Sequence, residues 1–322
     1  MSARQITARD GSSSADLAAS GGAAAQQSPL RRARRVLITA VTTGLFGYFV
    51  LVGLGCVLQE RLIFPRHFAG SPTVEPASPR ERWWIDQAGG SGRTEAWVEI
   101  AAGRSAESPG PAVIYFHGNG EIIEEVPELV WRLYLSRGVS VAMLEYRGYG
   151  LSDGAPGQEA ITSDALALRD RLVGHPAVDA ERLVYHGRSI GGGAAAQLAA
   201  REPPAALILE TTFTSVTAMA RRFLVPPFLL RHPYRTDRVL EEFDGPVLIM
   251  HGDADTIVPV GHGRRLGDIS PTGEYHEFPG EGHNDFPVDR ARYERIIDAF
   301  LERAGVVGAG GEPRGGRGSG AP

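Results

Sequence analysis

Five short runs of apolar residues, separated by segments of helical character, constrain the fold of this chain more than any other feature. The runs carry few polar side chains, as is typical of strands buried on both faces of a parallel sheet. They are Ala112–His117, Val139–Tyr146, Leu183–His186, Ala206–Glu210 and Val247–His251. Helical patterns occupy residues 124–137, 158–173, 191–201 and 287–304. This alternation predicts an α/β fold in which helices flank a mostly parallel central sheet.

A second feature is the uncharged run Val36–Leu58, which follows four arginines within residues 31–35. A helix of this length, at about 1.5 Å per residue, crosses a hydrocarbon core of roughly 30 Å. We therefore expect one transmembrane helix at 36–58. The alternatives are a buried core helix and a cleaved signal peptide, but the run exceeds a usual signal core and no A-x-A site follows it. The positive-inside rule places the arginines in the cytoplasm and the rest of the chain outside, although Arg61 and Arg66 on the far side weaken that preference.

The composition of the two ends of the chain indicates where the folded domain begins and ends. Residues 1–30 are rich in Ala, Ser, Gly and Gln, and residues 305–322 are rich in Gly. Such segments bury too little apolar surface to offset the loss of chain entropy, so we expect both to be disordered tails. Residues 70–80, rich in Pro and Ser, indicate a linker. The folded domain is expected to span residues 59–304.

Composition also excludes several kinds of chemistry. All 33 basic residues are arginine, which excludes Schiff-base catalysis, a Ser–Lys dyad and a phosphate-binding lysine. The net charge of −5 argues against a general affinity for nucleic acid or anionic lipid. The single cysteine, Cys56, lies in the uncharged run and is a poor candidate for a catalytic thiolate. Neither H-E-x-x-H nor C-x-x-C occurs, so the sequence predicts no metal and no cofactor.

Two segments match the pattern G-x-S-x-G, residues 187–191 and residues 150–154. Ser189 in the first follows a strand-like run and opens a helical stretch. A sharp strand-to-helix turn of this kind exposes a serine hydroxyl beside a helix N-terminus, where an oxyanion is stabilised. Ser152 in the second lies between turn residues and is expected to be structural. Ser189 is therefore the predicted nucleophile.

A serine hydroxyl needs a general base to become a nucleophile. Three histidines follow the run Val247–His251. His262 lies early in a predicted helix, and His276 lies inside the apparent strand Glu274–Phe278. His283 lies in the loop beyond that strand, where catalytic side chains project. We predict His283 as the base.

The base in turn needs an acid to orient it. Asp255, in the loop after Val247–His251, is the predicted acid. Its neighbour Asp253 is expected to shape the turn through backbone hydrogen bonds. Glu210, at the end of the preceding strand-like run, remains a rival for the role.

The negative oxygen that forms during acyl transfer is stabilised by two backbone N–H groups. We expect one from Ile190, directly after the nucleophile, and one from Asn119 in the loop after the first core strand. His117 in the same segment is expected to be a structural histidine, because it ends a strand and precedes the nucleophile.

Five motifs occur together with a segment that directly follows the uncharged run. They are His117-Gly118-Asn119-Gly120, Tyr146-Arg147-Gly148-Tyr149-Gly150, Gly187-Arg188-Ser189-Ile190-Gly191-Gly192, Glu210-Thr211-Thr212-Phe213-Thr214-Ser215 and Gly282-His283-Asn284-Asp285, with Gln59-Glu60-Arg61-Leu62-Ile63-Phe64-Pro65 before them. In this order they resemble the Bem46-like branch of the α/β-hydrolases, which includes ABHD13- and ABHD17-like serine hydrolases. The resemblance covers roughly residues 59–304. It implies the α/β-hydrolase fold, the triad Ser189, Asp255 and His283, and hydrolysis of carboxylic esters or thioesters in small or lipid-like acyl substrates.

Other functions remain open on the same fold. The chain would be a membrane-tethered binding module if the triad were relict, and a cofactor-free perhydrolase uses the same triad. Haloalkane dehalogenase and epoxide hydrolase activities are excluded, because both need an aspartate where Ser189 stands. Residues 219–230 are apolar and lie where hydrolase lids are inserted, so they form either an acyl-binding wall or a segment packed on the sheet.

Overall fold

A computed structural model describes residues 29–72, 74–90 and 92–308. The other residues of the two expected tails, 1–28 and 309–322, lie outside the described residues. The chain divides into two compact units, one up to Gly53 and one from Leu54 onward.

One eight-stranded sheet forms the centre of the second unit in the described chain, in the order β1-β2-β4-β3-β5-β6-β7-β8. The strands are β1 Glu81–Asp86, β2 Arg93–Glu99, β3 Gly110–Phe116, β4 Ser140–Leu144, β5 Val178–Arg188, β6 Ala206–Glu210, β7 Val247–Gly252 and β8 Gly273–Phe278. The pairs β1–β2 and β2–β4 are antiparallel, and all the other pairs are parallel. The predicted mostly parallel sheet is confirmed.

Helices cover both faces of this sheet. The helices are α1 Pro29–Ile63, α2 Glu128–Leu135, α3 Gln158–Val173, α4 Ile190–Ala199, α5 Val216–Ala220, α6 Thr236–Glu242, α7 Gly261–Ile269 and α8 Arg290–Arg303, with short 3-10 turns at Ile123–Glu125, Arg221–Phe223 and Pro227–Leu229. Two hydrophobic clusters result, one on each face. Ile114 of β3 belongs to one and Val113 to the other. A strand covered by helices on both faces needs apolar residues on both sides. This explains why the unbroken apolar runs predicted the central strands.

The uncharged run lies within α1, which extends beyond it at both ends. This helix is long and apolar enough to cross a membrane. Large apolar side chains along it, such as Phe46 and Leu51, are exposed. Towards the end of the helix Gln59 is buried and Ile63 is partly buried in the second unit, whereas Arg61 and Leu62 are exposed. Phe64, directly after the helix, is fully buried there.

The folded unit extends further than the sequence indicated at its C-terminal end. Val306 and Val307 are buried in the cluster that lies under α8, so the boundary expected at residue 304 is too early. The sequence did not indicate their burial, because these two valines stand between glycines in a Gly-rich segment.

Candidate active site

Ser189 lies in the tight turn between β5 and α4, with a backbone φ of 55° that L-residues rarely adopt. The neighbouring glycines make this turn possible. A Cβ on Gly187 would lie 2.1 Å from the carbonyl oxygen of Gly191, and a Cβ on Gly191 would lie 2.1 Å from that of Phe116. The turn is further held by the Thr212 hydroxyl, which donates to the Ser189 carbonyl at 2.6 Å. Strain of this kind, held in place by the surrounding structure, is typical of a nucleophile elbow.

Three side chains meet at the carboxyl ends of three parallel strands. Ser189 follows β5, Asp255 follows β7 and His283 follows β8. The Nε2 atom of His283 lies 3.0 Å from the Ser189 hydroxyl oxygen, and its Nδ1 lies 2.7 Å from Oδ2 of Asp255. The carboxylate is therefore on the side of the ring away from the serine. All three side chains are largely shielded from solvent.

The surroundings of Asp255 keep its carboxylate ionised. Burial alone would raise the pKa of Asp255, but hydrogen bonds from His251 and His283, the charge of His283 and the backbone N–H of Val258 hold the pKa below its ordinary value. Oδ1 accepts backbone hydrogen bonds from Ile257 and Val258, both at 2.8 Å. These two bonds fix the carboxylate so that Oδ2 faces the imidazole. A fixed acceptor at this position favours the His283 tautomer that carries its proton on Nδ1.

The rival histidines have other partners. The ring of His262 lies 3.0 Å from the Thr214 hydroxyl, and His276 in β8 lies 2.6 Å from Glu274. The ring that lies at the Ser189 hydroxyl is that of His283. The second G-x-S-x-G serine is structural, as expected, because Ser152 accepts a hydrogen bond from the Glu95 N–H and donates to the Glu145 carbonyl.

The rival acid Glu210 belongs to a different buried network. Its carboxylate lies 2.8 Å from Nε2 of His186 and accepts a hydrogen bond from the Tyr293 hydroxyl. Burial alone would raise the pKa of Glu210, but the charge and hydrogen bond of His186, then Tyr293 and Arg188, hold the pKa below its ordinary value. Asp253 accepts a hydrogen bond from the Gly280 N–H at 2.6 Å, which ties two loops together.

The loop after β3 lies beside the nucleophile, because β3 and β5 are neighbours and Phe116 pairs with Gly187. Ile190 is the first residue of α4, so its N–H is among those at a helix N-terminus that have no acceptor within the helix. The side chain of Asn119 is engaged elsewhere: its amide donates to the Ile63 carbonyl at 2.7 Å, and its oxygen accepts from the Tyr149 hydroxyl. Any contribution of Asn119 to an oxyanion is therefore made by its backbone N–H.

His117, at the start of this loop, is fully buried. Its ring nitrogens lie 3.1 Å from a Glu145 carboxylate oxygen and 2.9 Å from the Gly118 carbonyl, and the ring stacks on Tyr146. These contacts agree with the structural role expected for it.

Arg188, the residue directly before Ser189, joins two loops that flank it. Its guanidinium donates to the carbonyl of His283 at 2.8 Å and forms an ion pair with Glu121. Glu121 also accepts the Gly118 N–H at 3.1 Å. One partly buried cation thus links the loop that carries His283 to the loop expected to supply an oxyanion donor. Sequence reasoning missed this residue.

His251, at the end of β7, is a second residue that sequence reasoning missed. Its Nε2 lies 2.8 Å from the Val258 carbonyl and 3.3 Å from Oδ2 of Asp255. Because a carbonyl only accepts, Nε2 carries the proton and also faces the carboxylate. Among the described residues, no cluster of His, Cys, Asp and Glu side chains is arranged to hold a metal ion.

Comparison with known proteins agrees with this architecture. A family described as serine aminopeptidase, S33, matches residues 107–234. The alpha/beta hydrolase domain-containing protein WAV2 of Arabidopsis thaliana is 31% identical over 281 residues, covering 77% of this chain and 90% of that protein. Protein bem46 of Schizosaccharomyces pombe is 28% identical over 268 residues, covering 78% and 89%. The Pyrococcus furiosus esterase Pf2001 superposes with a TM-score of 0.56 at 17% identity, covering 72% of this chain and 96% of that one.

The chain belongs to the α/β-hydrolase family. Within that family, the resemblance to the Bem46-like branch that the motifs indicated is confirmed by the similarity to bem46.

Proposed function

We propose that this protein is a membrane-anchored serine hydrolase that cleaves carboxylic esters or thioesters through an acyl-enzyme. The observation that carries the proposal is the hydrogen-bonded line from Ser189 through His283 to Asp255, with distances of 3.0 and 2.7 Å, at a strained turn between a strand and a helix. The structurally similar Pf2001 of Pyrococcus furiosus is an esterase by name, which agrees with this reaction class.

The geometry suits a two-step acyl transfer. In the first step the Ser189 oxygen attacks the carbonyl carbon while Nε2 of His283 takes the hydroxyl proton. Asp255 stabilises the resulting imidazolium, and the N–H groups of Ile190 and Asn119 stabilise the oxyanion. Collapse of this intermediate breaks the bond to the alcohol or thiol, which receives the proton from His283. In the second step water attacks the acyl carbon while His283 takes its proton; the bond to Ser189 then breaks, the serine oxygen receives that proton from His283, and the carboxylic acid leaves.

The proposed anchor is the segment 36–58 within α1. Its apolar side chains are exposed, and about 20 apolar residues are enough to cross a bilayer. Four arginines in residues 31–35 precede it, so we propose that the N-terminus is cytoplasmic and the hydrolase domain is outside the cytoplasm.

The reaction class is tested with the full-length protein in detergent or nanodiscs, using p-nitrophenyl esters and matched acyl thioesters of increasing chain length. We expect a burst of one leaving group per active site followed by slower turnover, because an acyl-enzyme accumulates when its hydrolysis is slow. The matched Ser189→Ala variant should give no burst. A chain that hydrolyses none of these substrates, or a Ser189→Ala variant that retains the burst, contradicts the proposal. The chain-length profile reports the size of the acyl site.

The orientation is tested separately with reporters fused after residue 70 in a bacterial host. Alkaline phosphatase should be active there, because it folds only after export, and a cytoplasmic reporter at the same point should be inactive. The opposite pattern would show that the helix inserts the other way round, without affecting the catalytic proposal.

A further inference from the structure

We infer that an apolar rim beside the active site rests on the bilayer surface, so that Ser189 receives acyl esters directly from the membrane. The rim consists of five apolar side chains that are strongly exposed in the structure. They are Leu62 (68%), Phe68 (77%), Phe223 (65%), Leu224 (73%) and Phe228 (85%). The inference rests on the proposed membrane anchor and extends it, since it assigns a membrane contact to the hydrolase domain itself.

The first support comes from contacts between the end of α1 and the segment that follows β6. Gln59 donates from its side-chain amide to the Leu229 carbonyl at 3.2 Å and accepts from the Arg231 N–H at 2.9 Å. Glu60 pairs with the Arg231 guanidinium at 2.7 Å. Gln59 is the residue directly after the uncharged run Val36–Leu58, so covalent geometry keeps it at the end of the proposed span. The segment that carries Phe223, Leu224 and Phe228 is therefore held close to the membrane surface.

The second support comes from the loop after β3. The Asn119 amide donates to the carbonyl of Ile63, the last residue of α1. A Cβ placed on Gly120 would lie 3.9 Å from the Cβ atom of Phe68, so this exposed residue borders the same loop. That loop lies beside Ser189 through the pairing of β3 with β5. The residues that follow the span thus contact the loop after β3 and the segment after β6, which begins beside the nucleophile at Thr212.

The chemistry of the rim fits a lipid surface. Exposed aromatic and leucine side chains are costly in water when they cluster, and they mark interaction sites. Exposed arginines accompany them at Arg61, Arg66 and Arg221. Apolar residues flanked by arginines are typical of protein segments that enter the headgroup region, where the guanidinium groups meet lipid phosphates. The partner that this surface fits is therefore a phospholipid bilayer, and the substrate class is an acyl ester dissolved in it.

The contact is tested with an environment-sensitive fluorophore on single cysteines of the full-length protein in phosphatidylcholine–phosphatidylglycerol vesicles. With Cys56→Ser as background, Phe228→Cys places the probe on the rim. Glu181→Cys places it on an exposed residue near the start of β5, at the end of the sheet away from Ser189. We expect headgroup- and shallow-labelled quencher lipids to quench the probe at residue 228 and to leave the probe at residue 181 unchanged. Equal quenching at both positions, or none at residue 228, overturns the inference.

A kinetic test uses the variant Phe68→Ser/Phe228→Ser and two substrates, a long-chain acyl ester in vesicles and a short water-soluble ester. The ratio of the vesicle rate to the soluble rate should fall about tenfold relative to the unmodified protein, because two aromatic contacts with lipid are lost. An unchanged ratio overturns the inference. If the hydrolase proposal is wrong, the unmodified protein cleaves neither ester. The membrane contact is then still decided by the quenching experiment, so the two failures can be told apart.

Discussion

Replacing Asp255 by asparagine tests how the site controls the protonation of His283. The side chain keeps its size, so the change acts through the loss of the negative charge and through altered hydrogen bonding. Oδ1 of Asp255 accepts two backbone N–H groups at 2.8 Å, and only an oxygen satisfies both. The asparagine oxygen must therefore occupy this position, which places its NH₂ group at the position of Oδ2, facing Nδ1 of His283.

An NH₂ group in that position forces His283 into the wrong tautomer. Nδ1 must then accept a hydrogen bond, so the proton moves to Nε2, the nitrogen that lies 3.0 Å from the Ser189 hydroxyl. A protonated Nε2 cannot take the serine proton. The new NH₂ group also faces the proton on Nε2 of His251, at the 3.3 Å contact, and this repulsion adds to the loss.

We expect kcat to fall about 10⁴-fold, the scale of a tautomer error in a serine triad, which corresponds to about 5.5 kcal/mol of barrier. The assay is the steady-state rate on a short p-nitrophenyl ester, with circular dichroism to confirm that the variant folds. The matched control is Glu210→Gln, which alters a buried carboxylate bonded to His186 and Tyr293 instead of to His283. If Glu210→Gln is as damaging to kcat as Asp255→Asn, or if Asp255→Asn lowers kcat less than tenfold, the reasoning is refuted.

Three further predictions follow from the same contacts. Arg188→Met should lower kcat about 10- to 100-fold with a smaller change in KM, because the two loops beside Ser189 lose the side chain that connects them. The control Arg182→Met removes an ion pair with Asp179 at the start of the same strand and should leave kcat unchanged. Gly191→Ala should destabilise the protein by about 3 kcal/mol or more, since the new Cβ would lie 2.1 Å from a carbonyl oxygen. A Cβ at Gly261 would have no atom within 4 Å, so Gly261→Ala should leave the free energy of unfolding in urea unchanged. The pKa of Glu210 is lower in the folded chain than its ordinary value of 4.5. As pH falls, the unfolded chain therefore takes up the proton before the folded chain does, and the free energy of unfolding declines between the two pKa values. Glu210→Gln should flatten this decline, by at most about 1.4 kcal/mol per pH unit, in urea midpoints measured from roughly pH 3 to 6.

Each of the three has an outcome that contradicts it. Equal kinetic losses in the two arginine variants would assign Arg188 a general role in stability. Equal stability of the two glycine variants would mean that the turn relaxes freely. An acid decline that survives Glu210→Gln unchanged would assign the pH dependence to other carboxylates.

The sequence predicted the parts of the fold whose residues are buried on both sides. Strands such as Ala206–Glu210 are unbroken apolar runs, and their positions follow from that pattern alone. The two antiparallel strands β1 and β2 were missed, because they mix charged residues with tryptophan. In β1 only Trp83 and Ile85 are buried. β1 lies at the edge of the sheet, where few residues need to be buried, so it leaves a weak pattern. β2 lies inside the sheet and is mostly buried, but Glu95 interrupts its apolar run.

The residues of the candidate site were likewise predicted only where a local sequence motif marks them. Ser189 and His283 stand in local motifs, and strand order explains why their loops meet. Arg188 carries no local signal, because its partners Glu121 and His283 lie 67 and 95 residues away along the chain. The hydrogen bond from the Asn119 amide to the Ile63 carbonyl at the end of α1 was also missed, since nothing in the sequence of either segment indicates that they touch.

The most direct test of the proposed chemistry is covalent labelling by a fluorophosphonate probe, which phosphonylates only an activated serine. In the full-length protein, mass spectrometry of the labelled peptides should find the adduct on Ser189. Ser189→Ala should abolish labelling, whereas Ser152→Ala, which alters the serine of the second G-x-S-x-G match, should label normally if it folds. An adduct on another serine, or undiminished labelling of Ser189→Ala, would contradict the assignment of the nucleophile and with it the proposed mechanism.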